Sequence, residues 1–202
     1  MKPIANFEAA KKEAESMGNS IPKLPVGAYV LKVQNVRYDS GVEGRSDKIV
    51  LMYDIEEGEQ KGYFKKRFEA TTDENKKWKG VFSIYVPKED GSDSEYAKKN
   101  FARVINHFEA SNKGFNWAWN EQELKGKYIG GVFGEVQKVI EGTERCWVEM
   151  RWTDTVENVK EGKCNIPDKK VFPGATSSSI PSPSDSFMDM NNLPQGIVDV
   201  PF

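Results

Sequence analysis

The chain has 202 residues, 38% of them hydrophobic and 30% charged, which suits one domain of ordinary size with appendages under a highly charged surface. A net charge of −2 argues against a uniformly basic nucleic-acid binder. Two cysteines without a C-x-x-C pair and a single histidine argue against a zinc site, and no apolar run approaches the roughly 18 residues of a membrane-spanning helix.

In chain order, the N-terminal "MKPIANFEAAKKEAESMG" lacks the apolar centre of a signal peptide, so a cytoplasmic location with reduced thiols and no membrane partner is expected. Phe7, Ala10, Ala14 and Met17 recur at helical spacing and predict a helix over residues 4–17, with Asn6 placed to cap it. "KLPVGAYVLKVQNVRYD" predicts a first strand, with Tyr29, Leu31 and Val33 on one face. "DKIVLMYDIEEG" predicts a second, with Ile49, Leu51, Tyr53 and Ile55 inward. "YFKKRFEA" predicts a third, with Phe64 and Phe68 on one face and Tyr63, Lys65 and Arg67 on the other. Residues 70–93 read as a long charged loop around one apolar piece, "GVFSIYVP".

A helix follows over "SDSEYAKKNFARVINHFEAS", capped by Ser94 or Asp93, with Tyr96, Phe101, Val104, Ile105 and Phe108 as its apolar stripe. A helical turn is expected at Glu121–Leu124. "KYIGGVFGEVQKVIEG" predicts a fourth strand, in which Gly130, Gly131 and Gly134 suggest a bulge or bend. "TERCWVEMRWTDTV" predicts a fifth, with Cys146, Val148, Met150 and Trp152 toward the core. Three strands, a helix and two strands is the layout of an OB-fold-like five-stranded barrel, a mainly β fold with one or two helices. The expected organisation is an N-terminal helical segment over 1–23, the barrel over 24–172 and a disordered tail over 173–202, where Ser, Pro and Asp dominate.

No catalytic constellation is visible, so no enzyme, cofactor or metal is expected. His107 lacks an obvious partner, and "GGVFGE" lacks the lysine and helix start of a phosphate loop. Single-strand binders need aromatic faces for bases and cations for phosphates. Tyr63, Lys65 and Arg67 offer such a set, as do Arg145, Trp147 and Arg151. Lys76, Lys77, Trp78 and Lys79 form a third in "ENKKWKG", and Lys32 and Arg37 extend it along strand one. Alternating cations on an outer strand face also serve solubility and edge protection. Trp117 and Trp119 of "FNWAWN" are assigned to packing between helix and barrel.

"LPVGAYVLKV", "LMYDIEEGEQKGYFKKRFEA" and "LKGKYIGGVFGEV" together resemble single-stranded DNA-binding-like proteins of phages and mobile elements of Gram-positive bacteria. The resemblance implies an OB-type fold and sequence-independent single-strand binding in replication or recombination, with RNA also open. It places Tyr63, Lys65 and Arg67 on a binding strand.

The last segment, "VDVPF", resembles the acidic tip of bacterial single-stranded DNA-binding proteins, with Asp199, Val200, Pro201 and Phe202 in matching places. All 29 basic residues and all but three of the 31 acids lie in residues 1–170, a formal +1. Asp185, Asp189 and Asp199 leave the tail at −3. The resemblance implies recruitment of replication or recombination proteins through the tip, with the Phe202 ring in an apolar pocket. A homo-oligomer is open as well. The near-neutral body leaves an alternative: an OB-fold adaptor, or an accessory subunit of a recombination or nuclease complex, without strong DNA binding of its own.

Overall fold

The computed structural model describes residues 21–41, 46–72, 75–88, 90–140 and 143–175; the helix expected over 4–17 and the tail tip Asp199–Phe202 lie outside them. Strand β1 (Gly27–Asp39) pairs antiparallel with β2 (Lys48–Ile55) on one side and with β4 (Tyr128–Ile140) on the other. The hydrogen-bonded path runs β3 (Val81–Tyr85), β2, β1, β4, β5 (Thr143–Asp154). Strand β6 (Lys170–Ala175) lies parallel to the second half of β4, beyond the stretch that β1 pairs with. Among the described residues no pairing joins β3 to β5, so this mixed, mainly β sheet is not closed.

The expected inward residues of the first two strands form the core, except Tyr29, which packs against it half-buried. Leu31, Val33, Ile49, Leu51, Tyr53 and Ile55 are buried, with Ile129, Phe133 and Met150 from β4 and β5. A bulge between Val33 and Asn35 restarts the alternation, so that Val36 also points inward. The long helix α2 (Glu95–Ser111) starts at Ser94, whose hydroxyl accepts from the Ala97 N–H at 3.2 Å. It buries Phe101, Val104, Ile105 and Phe108, while the fifth expected stripe residue, Tyr96, is exposed. Asn112 ties its C-terminus to β4, donating to the Phe108 and Tyr128 carbonyls and accepting from the Tyr128 N–H at 2.9 Å. A 3-10 turn occupies Glu121–Leu124, as expected.

The third expected strand is a helix. Residues Tyr63–Ala70 form α1, and the true third strand is the apolar piece of the expected loop, Val81–Tyr85. Phe64 and Phe68 are four residues apart, and that spacing keeps two side chains on one face of a strand or of a helix alike. Tertiary structure decides between them. Gly62 takes φ 71°, which turns the chain sharply after β2. The buried Asp54 carboxylate at the end of β2 then accepts from the Phe64 N–H at 2.9 Å and the Lys65 N–H at 3.1 Å. It satisfies the first-turn donors that no residue next to the helix caps. Tyr63 is therefore buried rather than solvent-facing. Its hydroxyl accepts from the Leu24 N–H at 3.0 Å and donates to the Pro22 carbonyl at 3.1 Å.

Two further expectations are corrected in β5. Cys146 is exposed, because β4 and β5 continue as a ribbon past the core. Trp152 sits opposite Val132, half-buried and outside the main core. A bulge at Val132/Phe133 leaves Arg151 without a register partner, and the next inward residue is Thr153. The chain after β5 forms the short helix α3 (Val156–Lys160) and then β6, which extends pairing past the expected domain end at 172, to Ile140↔Ala175.

Candidate nucleic-acid interface

The cross-strand register of β4, β5 and β6 builds the densest alternation of cations and aromatics on the sheet. Phe172, Lys138 and Arg145 are register partners across the three strands, and Lys170, Val136 and Trp147 form the next row. Paired residues share a face, and rows of adjacent strands stand about 4.8 Å apart. Val136 is buried beneath this row, while Lys138, Trp147, Lys170 and Phe172 are half-exposed and Arg145 is exposed. Lys170 holds its ammonium 4.3 Å from the Phe172 ring centroid. Arg151 joins the same face, since a Cβ built on Gly134 would meet the Arg151 Cγ at 3.1 Å.

One acid, Glu149, stands among these described residues, and its carboxylate accepts from the Trp147 indole N–H at 2.9 Å. The reverse face of the ribbon has the opposite character. There Glu135 pairs with Lys23 at 3.1 Å, and the Gln137 amide donates to Glu144, beside Cys146. Lys23 holds the Glu135 carboxyl below the usual range through that hydrogen bond, with burial acting against it.

The other expected residues are scattered. Lys65 and Arg67 project from α1, exposed. Trp78 is half-buried against the core, its indole N–H shared between the Tyr53 and Gly80 carbonyls at 3.1 Å each, its ring 5.8 Å from Phe68. Lys76 lies 4.7 Å over the Phe68 ring, and Lys77 and Lys79 are exposed beside it. Lys32 stands 5.5 Å over the Tyr128 ring on β1. Arg37 is exposed and pairs with Asp39 at 2.5 Å. The structure thus brings Arg145, Trp147 and Arg151 together, and adds three residues that sequence reasoning missed: Lys138, Lys170 and Phe172. The signal for them lay in register, which one strand's pattern does not contain.

Trp119 was missed in another way. Trp117 packs against the core as expected, but Trp119 is 77% exposed at φ 61°, its ring 6.3 Å from Phe101 and 4.9 Å from Trp117. A shallow open hollow lined by Pro25, Ala28, Val30, Glu57, Glu59 and Lys160 has Lys160 paired with Glu57 at 2.8 Å, which leaves an acid on its wall.

Burial and the neighbouring Asp154 push the Cys164 thiol up to about 11, which favours the thiol over the thiolate at neutral pH. Burial also disfavours the charged Asp154 carboxylate. Hydrogen bonds from the Asn158 amide, the Thr155 N–H and the Cys164 thiol nonetheless hold it below the usual range. Among the described residues no group of three or more His, Cys, Asp or Glu is placed to hold a metal, and no helix is long and apolar enough to cross a membrane. Neither a protein-family model nor a curated protein matches the chain.

Proposed function

We propose that this protein is a non-enzymatic, sequence-independent single-stranded DNA-binding protein that holds the strand along the β4–β5–β6 face. The observation that carries the reading is the register that sets Lys138, Arg145, Arg151 and Lys170 around Trp147 and Phe172, against one acid. Bases stack on exposed ring faces, and the surrounding cations meet phosphates without reading sequence. The β3-β2-β1-β4-β5 path, with α2 between β3 and β4, follows an OB-type connectivity and supports the same assignment. Action in phage or mobile-element replication or recombination belongs to this proposal through the sequence resemblance, and a cytoplasmic location is part of the same proposal.

The test is a fluorescence titration with oligo-dT and a matched duplex at low and moderate salt. The single strand quenches preferentially, salt weakens the effect, and Trp147→Phe removes most of the quench. Equal response to duplex, or full quench in the variant, contradicts the proposal. A separable part assigns partner recruitment to Asp199, Val200, Pro201 and Phe202. Deleting Val200–Phe202 abolishes pull-down of replication or recombination proteins and leaves DNA affinity intact or slightly raised.

Trp119 favours a second reading, a protein-docking adaptor. Its ring is displayed from a backbone conformation that costs on the order of 1 kcal/mol. In that case the chain ignores single strands at low salt, and Trp119→Ala removes partner binding without changing the melting temperature.

A further inference from the structure

Arg151 combines a bulged backbone position with an orphaned donor. Its Nη1 is buried and has no hydrogen-bond partner among the described residues. A buried guanidinium N–H left unmade is costly, and an oxyanion is among the strongest partners a guanidinium can take. The stem of Arg151 crosses Gly134 beneath Pro167, where a Cβ on residue 134 would lie 2.5 Å from the Pro167 Cγ and 3.1 Å from the Arg151 Cγ. Glycine at 134 therefore lets strand, guanidinium stem and proline close together. Lys170 borders the same place, opposite Val136 on β6. Among the described residues no ion pair engages Arg151 or Lys170. Burial lowers the Lys170 ammonium's pKa, the Arg151 charge lowers it further, and Glu149 offsets part of this. The sheet thus sets both cations on one face, Arg151 of β5 over Gly134 and Lys170 of β6 beside Val136, with β4 between them, and the nearby Glu149 accepts from the Trp147 indole N–H.

We propose that Arg151 and Lys170 form an oxyanion seat over Gly134 that takes one phosphate of the bound strand, next to the base that stacks on Trp147. This rests on the single-strand reading for its ligand, but the seat itself is chemistry for any phosphate-like oxyanion. The guanidinium supplies two parallel N–H donors and Lys170 a point charge.

The experiment uses the full chain. Oligo-dT binding is followed by anisotropy across a salt series, for wild type, Arg151→Gln, Lys170→Gln and a Lys76→Gln/Lys77→Gln control, with melting curves confirming that each variant folds. Loss of either seat residue weakens binding about five- to tenfold and lowers the salt slope by about one, while the control matches wild type. Arg151→Lys keeps the slope but loses part of the affinity. In parallel, the Arg151 Nε–Hε resonance is followed during titration with inorganic phosphate against chloride at equal ionic strength. A saturable shift with phosphate alone, lost in Gly134→Ala, supports the seat. If wild type binds the strand and both seat variants bind equally with an unchanged slope, the seat is overturned and the strand reading stands. If wild type ignores the strand but phosphate shifts Arg151 saturably, the seat stands and the strand reading falls. No response to either ligand overturns both.

Discussion

Trp78 and Trp147 sit in similar sequence surroundings, each within a few residues of basic side chains, yet the fold uses them differently. Trp78 is anchored by two backbone carbonyls and lies against the core, so its lysines ring a structural residue. Trp147 is held by one side chain on a strand, above a buried valine, with cations from three strands on its own face. An aromatic among lysines is therefore not enough to mark a binding surface. What matters is whether the ring has spent its polar edge and its faces on the protein's own interior.

The comparison is broken or sharpened most strongly at Asp54. Asp54→Ala leaves the first-turn N–H groups of α1 unpaired in a buried place and removes the support beneath the Trp78 region, a loss of about 3 kcal/mol in urea unfolding. A loss below about 0.5 kcal/mol shows that α1 holds by packing alone. Next, Trp78→Ala lowers stability by about 2 kcal/mol while the folded protein keeps its affinity for oligo-dT. Trp147→Ala has the crossed signature: affinity falls about tenfold, near 1.4 kcal/mol, with little change in melting temperature. The reverse pattern in these two variants would exchange the roles assigned to the two regions.

The smallest effect is a pH dependence away from both. Burial is the largest influence on His107 and lowers its pKa below the ordinary 6.5; Asp154 opposes this and Arg103 adds to it. The unfolded chain then takes up the proton at higher pH than the native one. Stability from the neutral imidazole is complete above 6.5 and is lost as pH falls from 6.5 toward the depressed native value. The urea midpoint drops between pH 7.5 and 5.5, and His107→Gln, which removes the ring facing the Thr153 hydroxyl at 2.8 Å, shows a smaller drop.

Much of the molecule was legible in the residues. Alternation in β1 and β2 named the inward set Leu31, Val33, Ile49, Leu51, Tyr53 and Ile55, because one face of each strand must leave water. The apolar stripe of α2 and its Ser94 cap were local signals of the same kind. The pairing of Arg145 with Trp147 on one face followed from a period of two.

Where spacing is compatible with two structures, the tertiary context chose. Phe64 and Phe68 suit strand and helix equally, and the remote carboxylate of Asp54 settled Tyr63–Ala70 as a helix. The bulge at Arg151, the extra residue of β5 against Val132 and Phe133, turned Trp152 off the core, and simple alternation along the strand does not show where such a residue falls. Most of the candidate site belongs to this second class. Lys138 and Arg145 meet through the register of the β4–β5 hairpin, and Lys170 and Phe172 through that of the more remote β6, with Arg151 beside them over Gly134. By itself the sequence determined which residues seek the interior and which local elements they form. Only the packed sheet decided which cations of different strands share a face, because that depends on the hydrogen-bond register between strands.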